Sequence, residues 1–114
     1  MIPLVFHPIY SQLELPHRHR FPIEKYVGIR DELVNRGVSE SGFTQPLPLS
    51  ERDLYQYYSH DYVKALSSGT LDVKAMRRIG FPWSEQLIKR TYTAVAGTCL
   101  TAQLAIEQGK ALNL

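Results

Sequence analysis

One cysteine, Cys99, among 114 residues excludes an internal disulfide, and with it the small secreted scaffolds that depend on several. No apolar run approaches the roughly 20 residues that a membrane-spanning helix needs. The N-terminus also lacks the charged and apolar regions of a secretory signal in their proper order, so a cytoplasmic location and no membrane partner are expected. Charge of one sign is equally scarce: 13 basic against 11 acidic side chains leave a formal net charge of +2, too small to imply a polyanionic partner. Only the run His17, Arg18, His19, Arg20 concentrates positive charge in one place. Low-complexity and disorder-promoting tracts are absent.

What remains is an ordinary globular composition, 44% hydrophobic and 21% charged, in a chain long enough for one domain and too short for two. Ile2, Leu4, Val5 and Phe6 form a nearly continuous apolar run closed by His7 and Pro8, the pattern of a buried parallel strand. Residues 8–20 carry no helical or strand period and form an ordered connection, a kind of segment that often bears function. Pro22 in a first-turn position, Ile23, Tyr26, Val27, Leu33 and Val34 on one face, and Gly37 beyond the end predict a helix over residues 22–36. Residues 43–49, with two prolines, can only be a short extended segment.

Ser50 with Asp53 three residues on resembles a capping box that opens a brief helix. Ser59 is a new cap, which divides the Tyr55, Tyr58, Tyr62 and Leu66 spacing between two short helices, the second closed by Gly69. Residues 70–78 add a further turn or two before Gly80 and Pro82. Ser84 then caps the longest element, in which Ile88, Tyr92, Val95, Cys99, Ala102 and Ile106 follow at spacings of four and three until Gly109. This stripe predicts the buried face, with Cys99 an inert core residue and Ala94, Ala96, Gly97 and Ala105 permitting close approach to a sheet. An apolar strand begins at Ala111 and runs to Leu114.

Strand, helical region and second strand are the opening of a parallel α/β sheet, but two or three strands cannot hide their own apolar edges. The pattern therefore predicts an incomplete α/β domain, mostly helical over these residues. Several segments resemble the N-terminal part of bacterial proteins of the histone deacetylase superfamily, most closely the class IV type. They are FHPIYS at residues 6–11, HRFPIEKY at 19–26, HDYVKAL at 60–66, RRIGFPWS at 77–84, and VAGTCLTAQLAIEQGKALNL at 95–114.

The resemblance covers nearly the whole chain. It implies that residues 1–114 are the N-terminal third of a single three-layer fold like that of arginase and the deacetylases, a parallel sheet flanked by helices. The implied activity is zinc-dependent hydrolysis of acetyl-lysine or another acylated amine, the metal polarising the carbonyl and activating water. In relatives, two adjacent histidines, the metal-binding Asp-x-His pair, a second aspartate and an oxyanion-stabilising tyrosine follow ALNL. None of these motifs lies within residues 1–114, so no catalytic residue and no metal ligand is assigned here. Zinc is expected in the family and not on this chain alone, and the chain alone is expected to be inactive.

Supporting roles are what the resemblance implies for this chain. Arg20 matches a position whose guanidinium lines an inner cavity for released acetate, a task suited to a planar, permanently charged donor. His19 beside it fits a hydrogen bonder that orders the loop. Phe81, Pro82 and Trp83 precede the long helix and match a rim of the substrate channel. Three other readings compete. His17 and His19, with His7, lack a completing Cys or acidic ligand for a local metal site. The basic run with Phe21 is too small a footprint for nucleic acid, which is not expected as a partner. A naturally truncated, non-catalytic relative would expose core faces and self-associate through them.

Overall fold

The structure is a computed structural model that describes residues 2–39 and 42–114. Its centre is β1, Leu4–Val5, which together with Phe6 is buried. β1 pairs in parallel with β2, Leu112–Asn113, in the register Leu4 to Leu112 and Val5 to Asn113. On the other side Thr44 makes a parallel bridge: its amide donates to Leu4 O at 2.8 Å, and the Phe6 amide donates to Thr44 O at 3.1 Å. β1 is paired on both flanks and its successive side chains, which point to opposite faces, are all buried, so the run is continuously apolar.

A 3-10 turn, Pro8–Ser11, follows, with the His7 ring accepting the Ile9 amide at 3.0 Å as its N-terminal cap. Helix α1, Lys25–Asn35, starts later than the sequence suggests, because residues 22–24 form a separate turn in which the Lys25 amide donates to Pro22 O. Helix α2, Glu51–Leu54, carries the full capping box between Ser50 and Asp53. Helix α3, His60–Ser68, is capped by the Ser59 hydroxyl and closed by Gly69 in the left-handed conformation. Helix α4, Val73–Ile79, is capped by Asp72. Helix α5, Glu85–Gln108, is capped by Ser84 and ends at Gly109.

The expected three-layer fold is not formed. Among the described residues the sheet has only two strands of two residues each, and the chain is a mostly helical domain. Its extents are 45 × 36 × 17 Å, and the short dimension accommodates one sheet layer and one helix layer and no third. The physical reason lies in β2. Two residues provide one rung of ladder beyond Pro3, so the sheet stops where its hydrogen bonds do, at Leu112 N to Pro3 O and Leu114 N to Val5 O.

A second correction concerns α5. Leu87, Tyr92, Thr93, Ala96 and Gly97 form its buried side. Of the stripe predicted to be core, Tyr92 is buried and Ile88 half-buried, but Val95 is 41% and Ile106 86% exposed, and Cys99 and Ala102 are exposed. The helix is apolar on two sides, and the periodicity identified the outer one. Cys99 is therefore not a core residue. Of the small residues, Ala96 and Gly97 are buried, and Ala94 and Ala105 are half-buried; at Gly97 a methyl group would overlap the Tyr10 hydroxyl.

Candidate functional site

His19 organises the loop singled out from the sequence. Its backbone amide donates to Pro16 O at 2.8 Å, and its Nδ1 accepts the Phe21 amide at 3.2 Å. An Nδ1 that accepts a hydrogen bond carries no proton, so Nε2 carries it and donates to Gly80 O at 2.9 Å. The ring is thus the neutral Nε2–H tautomer, and it ties the 19–21 loop to the segment that ends α4. It also stacks on Phe81, with centroids 5.2 Å apart and planes 15° from parallel, while Phe21 meets the same Phe81 edge-on at 5.1 Å. Two segments 61 residues apart are fixed against each other by one imidazole.

Beside this junction an open groove of about 520 Å³ is lined by His19, Leu71, Val73, Met76, Arg77 and Phe81, with Gly80 and Pro82 at its edge. Its walls are apolar, and Arg77 supplies a cation. Such a surface holds an aliphatic chain by burial and an anionic or carbonyl end by the guanidinium.

The sequence-selected residues separate into two groups. His19, Phe81 and Pro82 come together at the groove. Arg20 is exposed, and Trp83 faces elsewhere: its indole N–H donates to Leu66 O at 2.7 Å, and its ring covers Gly69. Leu66 O, which also accepts the Gly69 amide at 3.4 Å, thereby gains a second donor at the end of α3. Together with Pro82 it also borders a second hollow of about 400 Å³ near Glu14 and Gln86.

Two further groups were not legible in the sequence. Arg90 on α5 donates from Nε to Tyr10 O at 2.8 Å, and its guanidinium lies over Phe21 and Tyr26 at 5.7 and 5.2 Å from their centroids. It is the strut behind the 19–21 loop, and no local motif marks it because its partners are 64 to 80 positions away. Between α2 and α3, the Glu51 carboxylate accepts from the Tyr55 hydroxyl at 3.0 Å and pairs with Lys64 at 3.5 Å. The Tyr55 hydrogen bond, then Ser67, hold Glu51 below the usual carboxylate range, while Lys64 is raised chiefly by its interaction with Tyr55. Ser67 in turn hydrogen-bonds the buried Tyr92 hydroxyl.

Zinc, implied by the resemblance, does not fit the residues present. Both ring nitrogens of His19 are engaged, the His7 Nδ1 is used as a cap, and among the described residues no group of three His, Cys, Asp or Glu converges. No step through a metal is derived from this chain. Among the described residues no helix is long and apolar enough to cross a membrane.

No protein-family model matches the chain. It is similar to an uncharacterized protein of Picosynechococcus sp. (strain ATCC 27264 / PCC 7002 / PR-6), at 45% identity over 112 residues. The match takes in 97% of this chain and 37% of the relative, so these residues span little more than a third of the relative's length.

Proposed function

We propose that these 114 residues are the N-terminal, non-catalytic part of a zinc-dependent deacetylase that acts on acetyl-lysine or a related acylated amine in the cytoplasm. The metal ligands and catalytic residues then lie in polypeptide outside them. The observation that supports this reading is the junction of His19 with Phe81. It joins the HRFP and GFPW segments, which carry the resemblance to deacetylases, at the edge of an apolar groove with a guanidinium beside it. An acyl-lysine side chain, an aliphatic stem ending in a carbonyl, has the chemistry that such a groove takes.

In this role His19 positions the loop that bears Arg20, and Arg20, exposed here, is available to receive acetate from a site completed by other polypeptide. The test has two arms. The purified 114-residue chain should not hydrolyse an acetyl-lysine peptide with or without added zinc. The full-length cyanobacterial relative should do so, lose activity to a chelator and regain it with zinc. Failure of the relative to cleave any acyl amine, or zinc-dependent turnover by the short chain, overturns the proposal. A second reading, a truncated relative that acts only by association, is favoured by one observation: the exposed apolar stripe of α5.

A further inference from the structure

From Thr91 to Ile106, α5 contains no charged residue. Helices that are apolar all round are buried on every side, whereas a helix face meant for water carries charges. At 100° per residue, Thr93, Ala96, Gly97, Leu100 and Leu104 fall on the side packed against the sheet and the 3-10 turn. Val95, Cys99, Ala102 and Ile106 fall on nearly the opposite side, at spacings of four, three and four. This is the seam of a helix–helix contact, with small residues in the middle and branched ones at each end, which allows close approach of a second helix.

The first part of the same seam already has a neighbour. Tyr92 is covered where the Leu49 amide donates to its carbonyl at 3.3 Å and Ser67 of α3 bonds its hydroxyl. Beyond Tyr92 the seam runs on uncovered, beside an open groove of about 400 Å³ lined by Pro46, Leu47, Leu49, Cys99 and Leu100, in which Leu47 is 84% exposed. The accessible surface is 8009 Å². A folded monomer of 13.1 kDa has about 6,400 Å². The excess, on the order of 1,600 Å², is about twice what each partner gives to a standard interface. A second copy laid against one stripe would cover only part of it.

We propose that residues 95–106 of α5 and the adjoining Pro46–Leu49 groove dock an amphipathic helix, supplied by polypeptide of the kind that makes up the unmatched remainder of the cyanobacterial relative. The matched segment is 37% of that relative, so such polypeptide accompanies this segment there within one chain. The partner helix presents apolar residues at three- and four-residue spacing and needs no complementary charge, since the stripe offers none.

The test is co-expression of the 114-residue chain with the unmatched remainder of the relative, followed by mass measurement in solution. A one-to-one complex is expected. Val95→Glu with Ile106→Glu, both at exposed positions, should leave the circular dichroism and melting temperature of the chain unchanged and weaken the complex at least tenfold. The proposal is overturned if the chain stays at 13.1 kDa without taking up the partner, if it forms a dimer of its own that excludes the partner, or if the double variant binds as the wild type does. The readout is mass, so it fails or succeeds independently of any deacetylase activity.

Discussion

The hydroxyl of Tyr10 lies where a side chain on residue 97 would begin, so Gly97 is the one residue that lets the N-terminal turn reach α5. From that position the hydroxyl donates to Asn113 Oδ1 at 2.9 Å and joins parts of the chain 103 residues apart. Gly97→Ala should therefore destabilise, although alanine favours a helix elsewhere. Overpacking of this kind costs about 1–3 kcal/mol, against a helix-propensity gain of about 1 kcal/mol. A urea titration of the variant checks it, and an unchanged midpoint would mean that Tyr10 moves aside freely.

Tyr10 also carries a pH signature. Burial raises its phenol above the ordinary value of 10.0, only partly opposed by the hydrogen bond to Asn113 and the charge of Arg90. The neutral form is favoured in the folded state, so its contribution is complete below the unfolded value and is lost as pH rises through the folded one. Stability should fall in alkali above about pH 10, and Tyr10→Phe should show a shallower decline than the wild type. Identical slopes in thermal melts between pH 9 and 11 would remove this role from Tyr10.

On the acid side the sign reverses. Glu51 is held low first by the Tyr55 hydroxyl, and Asp53 by the Ser50 amide and hydroxyl in the capping box. Both contributions are present above the ordinary carboxylate values of 4.5 and 3.8 and disappear as pH falls through the lowered ones. Both carboxylates are solvent-accessible, so the effect should be modest and salt-sensitive. Ser50→Ala, which removes the cap, should destabilise by about 1 kcal/mol at neutral pH. Chemical denaturation at pH 7 measures it.

The elements were legible because they are local. Ser50, Ser59 and Ser84 are caps within three residues of their partners, and Gly69 and Gly109 end helices by their own backbone freedom. The architecture was not legible, because periodicity reports that a helix face is apolar and says nothing about what lies on it. On α5 two faces are apolar, and the heptad-like stripe that stands out in the sequence is, beyond Tyr92, the one left exposed. The small residues of the true inner face, Ala96 and Gly97, are buried, Gly97 directly under Tyr10, but add little to a hydrophobic pattern. At the candidate site, His19 and Phe81 were both selected from the sequence, but their stacking depends on a contact across 62 positions. Arg90, which braces the loop, announced itself by nothing local.

That bracing makes His19 the most informative substitution at the candidate site. His19→Ala removes the acceptor for the Phe21 amide, the donor to Gly80 O and the ring that stacks on Phe81. Each of the two hydrogen bonds contributes about 0.5–1.5 kcal/mol net, and the stacking contact about as much again, so a loss of about 1.5–4.5 kcal/mol is expected. The loop should also loosen more than the fold does, because Arg90, Tyr26 and Tyr10 remain in place behind it. Limited trypsinolysis should then cut after Arg18 or Arg20 at least tenfold faster, while cleavage after Lys89 within α5 stays slow. Equal acceleration at both places would show that His19 supports the whole fold and does not specifically hold the loop that carries Arg20.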